Sequence, residues 1–582
     1  MNDNGGLILQ YLERLGVEYI FGVPGGAIEP LFNAIARSER NGGPKAVIAR
    51  HETGAAFMAE GYARETGKLG VCCATSGPGA TNLLTGVASA FADSTPVLAI
   101  TGQPSLQTFG MGALQEGSCT GINTVSLFED CTRFNTLVSH PAQLEHKLVM
   151  AIGHAMSNSP GPVHLSVPVD VMREEVQGDS CSGNLWAFID HEVVPTYEAE
   201  RLLYDELVDI DQVTILVGEG CVGAVDDILT LAESRQWLLV TTPRAKGLIP
   251  ENHRLYRGVF GFAGHVSAHN AMLHEDGKRI LAIGTALDEV TTGGWDHSTG
   301  LDRNSLIHIS NNPEHLTRST RAMRCILGSP RLLLKRLIHR LEIEYPSAWD
   351  VVDISATGLP TNYVLESGVT CADKSRPIKP QALFWHLSQT VPENTRVYAD
   401  SGCSYLWAIH YWNVKQPLIN GRTPFQIGIG FSSMGWAIGA AVGAAAGANG
   451  EPVVCITGDG SALMSGQEIT TALQEKLNVL FIVLNDSCLG MVKHGQALGG
   501  AEAIGTTLPY VDFALMAQAM GVRSEQIKSF EDLERVDLAT LFSEGGPVLL
   551  DIRLDTSQVP PMGNRMRVLT GATLGEEYDK AI

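Results

Sequence analysis

Short apolar runs of four to seven residues alternate along this chain with stretches whose apolar residues recur at helical spacing. Near the N-terminus Leu7, Ile8, Tyr11, Leu12 and Leu15 mark a helix, and residues 19–23 then predict a strand. Further runs at 46–49, 71–75, 213–217, 237–240, 396–400, 453–457 and 478–484 predict strands, most of them ending in a loop rich in Gly or Pro. Residues 436–448, rich in Ala and Gly, predict a tightly packed buried helix. Strands that alternate with helices build βαβ units. The expected fold class is therefore α/β, as consecutive doubly wound domains with mainly parallel sheets. A chain of 582 residues accommodates three, expected at 1–176, 190–345 and 376–560. The polar stretch 177–184 reads as a linker, and 341–379, interrupted by Pro346, Gly358, Pro360 and Pro377, as a long interdomain crossing. The tail beyond Asp555, rich in Gly, Pro and Thr, reads as a segment that orders over a bound ligand.

Candidate chemistry concentrates at 452–492. The strand at 453–457 ends in Gly458-Asp459-Gly460, a helix is expected at 465–475, and the next strand ends in Asn485-Asp486. Open parallel sheets bind ligands at strand carboxyl ends, and paired carboxylates suit a hard cation that keeps positions free for phosphate oxygens. Gly-Asp-Gly alone is equally compatible with a plain turn. The whole stretch, however, resembles the diphosphate motif of thiamine-diphosphate-dependent enzymes. That resemblance implies thiamine diphosphate and Mg2+ as cofactors. It implies Asp459, Asp486 and the carbonyl of Cys488 as metal ligands, with Gly458, Gly460, Ser461, Leu489, Gly490 and Met491 against the cofactor.

Residues 50–103 resemble the pyrimidine-binding domain of the acetolactate synthase group of that family, with the activating glutamate at Glu52. A buried glutamate hydrogen-bonded to an aminopyrimidine nitrogen favours the imino tautomer, which makes Glu52 the expected catalytic carboxylate. The resemblance also places Gly26 and Ser76 beside the cofactor, Gly402 in its site, and Met434 as the apolar wedge beneath it. Gln115, in a segment that reads Phe-Gln-Glu in acetolactate synthases, becomes a candidate donor to the reacting oxygens, and Leu114 stands in place of the Phe. Residues 491–496 match Met-Val-Arg-Gln-Trp-Gln, which puts Val492 and Gly495 in the substrate pocket. Gly495 replaces the Trp, so the pocket is expected to open unless neighbours refill it.

The central region carries a formal GxGxxG at 218–223, which raises a nicotinamide oxidoreductase as a rival reading. The next strand ends in Thr241-Thr242-Pro243, without the acidic residue that holds a ribose. The region instead resembles the central domain that holds FAD in acetolactate synthases and pyruvate oxidases. Here Ser159, Gly261-Phe262-Ala263-Gly264 and 284–289 depart from that pattern, two guanidinium groups are lost, and tightly bound FAD is not expected.

The function implied is a carboligase that decarboxylates a 2-oxo acid, pyruvate or a longer one, and adds the product to a carbonyl acceptor. The alternatives are a 2-oxo acid decarboxylase and an FAD-dependent pyruvate oxidase. The paired histidines of simple decarboxylases are missing, Gly25-Gly26-Ala27 stands where their acidic proton donor would be, and Val169 replaces a lysine of acetolactate synthases. The resemblance further implies a cofactor shared between subunits, hence a homodimer at minimum and a homotetramer as the expected assembly. A net charge of -22 without a basic run excludes a nucleic-acid partner, and no apolar stretch is long enough for a bilayer. Eleven cysteines without CxxC spacing, and an N-terminus without an export signal, predict a cytoplasmic protein.

Overall fold

The computed structural model of the protein describes residues 3–176, 185–189, 192–302, 304–318, 322–344, 363, 365 and 370–570. Among the described residues eighteen strands form three sheets of six. All strand pairs within them are parallel. The first sheet comprises β1 (Tyr19–Gly22), β2 (Lys45–Ile48), β3 (Gly70–Ala74), β4 (Val97–Gln103), β5 (Phe134–Leu137) and β6 (Val163–Pro168), in the order β2-β1-β3-β4-β6-β5. The second comprises β7 (Val213–Val217), β8 (Leu238–Thr241), β9 (Tyr256–Val259), β10 (Arg279–Ile283), β11 (Leu306–Ser310) and β12 (Arg324–Leu327), in the order β12-β11-β10-β7-β8-β9. The third holds β13 (Arg396–Ala399), β14 (Phe425–Ile427), β15 (Val453–Gly458), β16 (Val479–Asn485), β17 (Arg523–Ile527) and β18 (Val548–Arg553), ordered β14-β13-β15-β16-β18-β17. The first and third sheets thus share one topology, while the second has the order of a dinucleotide-binding sheet.

Strands covered by helices on both faces are mostly apolar, and β3, β4, β6, β7 and β16 are buried throughout, with polar residues such as His164 and Thr101 bonded to one another. Direction reverses between β1 and β3, between β7 and β10, and between β13 and β15. Each reversal opens a crevice at the strands' carboxyl ends, and these crevices position the candidate sites.

The first and third sheets meet through helices α1 (Glu52–Thr66) and α2 (Trp436–Gly447). Both are buried along most of their length because small residues let the backbones touch. A Cβ on Gly61 would lie 2.0 Å from the Ala440 carbonyl oxygen, and one on Gly439 2.7 Å from Phe57 Cβ. Charge locks the same junction. Arg64 of α1 reaches Glu60 at 2.6 Å and Asp93 at 2.9 Å, and Trp436 Nε1 donates to Glu60 at 2.9 Å. Asp93 also meets Arg244 of the central domain at 3.3 Å and accepts from the Gly430 N–H at 2.9 Å. All three sheets are therefore tied at one ionic centre.

Gly458 is extended and caps helix α3 (Asp459–Ser465), so a short helix opens within the Gly-Asp-Gly segment, and the helix expected at 465–475 follows it as a 3-10 turn at Gly466–Glu468 and an α-helix at Ile469–Gln474. An acidic residue in a first helical turn is favoured by the helix dipole, which offsets the poor helix propensity of the flanking glycines. Helix α4 (Gly490–Leu498) follows β16, and the C-terminal segment forms helix α5 (Gly563–Thr570) on the protein's own surface. The predicted linker at 177–184 and most of the crossing at 341–379 lie outside the described residues. Among the described residues the ten cysteines are unbridged, and no helix is long and apolar enough to cross a membrane.

Candidate active site

The crevice between β13 and β15 holds a cavity of about 270 Å³. Gly402, Met434, Gly458, Asp459, Gly460, Ser461, Asp486, Cys488, Leu489, Gly490, Met491 and Val492 all line it. Every residue singled out in the sequence between 402 and 492 therefore converges on one space. Gly402 turns there with φ +105°, and Gly460 is required because a Cβ would meet Leu489 Cδ2 at 2.8 Å and Met434 Cε at 3.2 Å.

The electrostatics of the cavity call for a cation. Burial, then the neighbouring Asp486, pushes the Asp459 carboxyl up to about 7, and burial raises Asp486 as well. Asp459 Oδ1 accepts from the Gly460 N–H at 2.7 Å, whereas buried Oδ2 and the buried Ser461 hydroxyl have no partner. Buried oxygen atoms without partners are rare, and two raised carboxyls side by side suit a divalent ion. Among the described residues no trio of His, Cys, Asp or Glu side chains converges on a metal position. The expected set needs none, since its third ligand is the main-chain carbonyl of Cys488, in a turn where the Cys488 N–H donates to Asp486 Oδ1 at 3.1 Å. Asn485 is a structural neighbour: its amide donates to Asp551 at 2.7 Å and to the Val511 carbonyl at 2.9 Å.

Floor and rim come from residues that motif reading missed. Ser404, Trp407, Ser432, His494, Asp555 and Gln558 also line the cavity. Asp555 and Gln558 follow β18, so a strand-end rule applied to the last strand would have found them. Beneath the floor Asp400, raised to about 6 by burial, accepts from Thr457 Oγ1 at 2.7 Å and from the Gly435 N–H at 3.0 Å. That pins the loop carrying Met434 to β13 and β15.

A second group assembles on the first sheet, around the reversal between β1 and β3. Glu52 opens α1 and accepts from Asn82 Nδ2 at 3.0 Å, and its Oε1 lies 3.4 Å from where a Cβ on Gly79 would stand. The start of α1 is held from the third domain, where buried Glu468 accepts from the Arg50 and His51 N–H groups at 3.0 and 2.9 Å. Gly26 follows β1 beside open space, and Ser76 is buried at the end of β3. Gln115, at φ +58°, packs on the face of Gly77, while Leu114 beside it is 88% exposed. This group does not meet the first within one chain: among the described residues none before Pro380 lines the cavity of Asp459 and Asp486.

Gly495 calls for a correction. The space beyond it is filled, since a Cβ there would meet Met566 Sδ at 3.7 Å and Met562 Cε at 3.8 Å. Gly495 is also absent from the lining of the cavity within one chain. Replacing a large side chain by hydrogen leaves a void only where no neighbour can repack, and helix α5 supplies two flexible thioethers.

In the central domain a cavity of about 570 Å³ opens beside the β7–β10 reversal, lined by Glu219, Gly220, Gly284, Ala286 and Asp288 together with residues of the other two domains. Arg133, Arg244, Arg318 and Arg422 also line it, and the first two, with the glycine loop, are already engaged within the protein. Glu219 brings a carboxylate into the glycine loop, and the Gly220 N–H is consumed by the Gly284 carbonyl at 2.9 Å. Arg244 is held by Asp288 at 2.7 Å, and Arg133 by Glu314 at 2.8 Å. A phosphate at Arg133 or Arg244 would have to displace these carboxylates.

Comparison with known proteins agrees with this geometry. Three models of the thiamine pyrophosphate enzyme family match the chain: the N-terminal TPP binding domain over residues 3–122, the central domain over 203–337, and the C-terminal TPP binding domain over 400–552. A probable acetolactate synthase large subunit of Methanocaldococcus jannaschii is 32% identical, across 95% of this chain and 92% of that protein. The acetolactate synthase of Arthrospira platensis is 32% identical over 94% of this chain and 93% of its own length. The acetolactate synthase isozyme 2 large subunit of Escherichia coli K12 is 31% identical over 97% and 98%. With three domains of the expected order, a carboxylate pair at the third sheet's reversal and relatives aligned almost end to end, the chain belongs to the thiamine-diphosphate-dependent enzymes as an acetolactate synthase-like member.

Proposed function

We propose that this enzyme is a magnesium-dependent carboligase that releases carbon dioxide from a 2-oxo acid and joins the remaining fragment to a carbonyl acceptor. The observation that carries the reading is the pair of buried Asp459 and half-buried Asp486, both raised and with Asp459 Oδ2 unsatisfied, beside a cavity at the reversal of a parallel sheet. Thiamine diphosphate, when bound, supplies the electron sink that decarboxylation requires. The chain contributes position and proton control. Asp459 and Asp486 would hold the cation on the diphosphate, with the Cys488 carbonyl as third ligand, and Met434 would support the coenzyme. Glu52, oriented by Asn82, would hold the proton shared with the pyrimidine, and Gln115 would donate to the reacting oxygens.

Glu52 and Asp459 would then come from different copies. The separation of the two groups within one chain supports a homodimer at minimum, and a homotetramer is the assembly we favour. Exposed apolar side chains point the same way, with Met111 78%, Leu114 88% and Met464 57% accessible in the single chain. We place the enzyme in the cytoplasm, acting on small 2-oxo acids and carbonyl acceptors.

The test is a product survey: protein supplied with thiamine diphosphate, magnesium and pyruvate, alone and with a second 2-oxo acid. Carbon dioxide together with a hydroxyketone or acetohydroxy acid is the expected outcome. Acetaldehyde as the sole organic product would replace carboligase by decarboxylase, and acetate or acetyl phosphate formed with oxygen uptake would favour an oxidase.

A further inference from the structure

Helix α4 carries a stripe that begins in the cavity and continues beyond it. Met491 and Val492 line the cavity, and Gly495 and Gly499, three and seven residues after Val492, fall on the same side of the helix. The two glycines form a notch, and the notch is filled from the end of the chain. A Cβ on Gly495 would stand 3.7 Å from Met566 Sδ and 3.8 Å from Met562 Cε, and one on Gly499 3.5 Å from Met566 Cε. Both methionines are 2% exposed. They lie one helical turn apart, joined by the Met566 N–H to the Met562 carbonyl at 3.1 Å, so they enter the notch together.

The same segment is anchored elsewhere. Arg565 pairs with Glu289 of the central domain, and Arg567 donates to Asp296 at 3.1 Å and to the Gly293 carbonyl. Upstream, Leu554, Asp555, Thr556 and Gln558 line the cavity directly. One stretch of chain thus leaves the cavity wall, seats two thioethers in the α4 notch and ties itself to a second domain.

We propose that Met562 and Met566 determine specificity, closing the cavity in the direction of longer substrates where α4 offers only hydrogen atoms. This rests on the functional reading above, since it assumes that 2-oxo acids occupy the cavity of Asp459 and Asp486. Methionine suits the role: its unbranched thioether fills an irregular gap, and its removal leaves space with no other side chain to claim it. Chain length, rather than charge, is the property such a wall reads, because the side chains that meet the two glycines are thioethers.

The experiment compares wild type with the double variant M562A/M566A, both loaded with thiamine diphosphate and magnesium, on pyruvate, 2-oxobutanoate and 2-oxohexanoate. We expect the ratio of kcat/KM for 2-oxohexanoate to that for pyruvate to rise about tenfold or more, the range set by one or two methylenes in an apolar pocket. Gly495→Leu, which crowds the notch against both methionines, should move the ratio the opposite way and serves if the double variant fails to fold. Unchanged ratios in folded variants overturn the assignment. If wild type releases no carbon dioxide from any of the three acids, the functional reading falls. Calorimetric binding of the same acids to wild type and variants then decides the wall, equal length dependence overturning it and a relaxed dependence in M562A/M566A upholding it.

Discussion

Gly443 and Met58 touch through their backbones: a Cβ on Gly443 would stand 1.8 Å from the Met58 carbonyl oxygen. No side chain, however small, fits that contact, and the clash is with main chain of a fully buried helix rather than with a movable tip. Gly443→Ala must therefore spread α1 from α2. Overpacking of this kind costs about 1–3 kcal/mol, and we expect a lower denaturation midpoint for the domain pair. The substitution also shifts the start of α1, so thiamine-diphosphate-dependent turnover should fall further than global stability alone explains. A midpoint equal to wild type would show that the crossing can relax.

The carboxylate pair predicts a strict need for a divalent cation. Chelation should release the coenzyme, and magnesium should restore binding, read by the coenzyme's circular dichroism. Asp486→Asn keeps an oxygen donor and relieves the repulsion at Asp459, so it should retain coenzyme. Asp459→Leu removes a ligand from a buried site and should abolish retention at micromolar coenzyme. Retention by Asp459→Leu in the presence of a chelator would move the cation elsewhere.

Glu52 predicts a loss confined to chemistry. Glu52→Gln preserves the bond to Asn82 Nδ2, now at 3.0 Å, but cannot exchange a proton. Turnover should fall by about 10²–10⁴ while coenzyme affinity changes little. Equal activity would remove Glu52 from catalysis.

Buried histidines predict the acid side of stability. Burial holds His164 down to about 3 and His308 and His410 down to about 4, against an ordinary 6.5. The unfolded chain then binds more protons than the folded one below pH 6.5, so stability is full above that value and declines as pH falls toward 4. Each such histidine contributes about 1.4 kcal/mol per pH unit in that window. Denaturation midpoints measured between pH 7 and 4.5 should fall steadily, and His164→Gln should flatten the slope. A constant midpoint across this range would mean that the rings take up protons in the folded protein.

Much of this molecule was readable in its amino-acid order. Apolar runs bounded by glycine mark buried parallel strands because a strand covered on both faces tolerates little else, so the strands at 213–217 and 453–458 fall within a residue of expectation. The residues between Gly402 and Val492 that the family resemblance singles out line one cavity, as residues at strand ends beside a sheet reversal do. Local signals failed where long-range contacts rule. Gly458-Asp459-Gly460 has poor helix propensity, and only packing against β16 and α2 makes it the start of α3.

Sequence by itself determined the three α/β units, the carboxylates at the strand ends and the glutamate at the opening of α1, because periodicity and strand-end chemistry are properties of neighbouring residues. Tertiary structure alone decided that Glu52 and Asp459 stand apart within one chain, that Arg64 and Asp93 knot three domains together, and that methionines near the C-terminus fill the notch at Gly495. Those facts depend on which distant surfaces meet, and burial of apolar surface, being without direction, leaves no local mark of its partner in the chain.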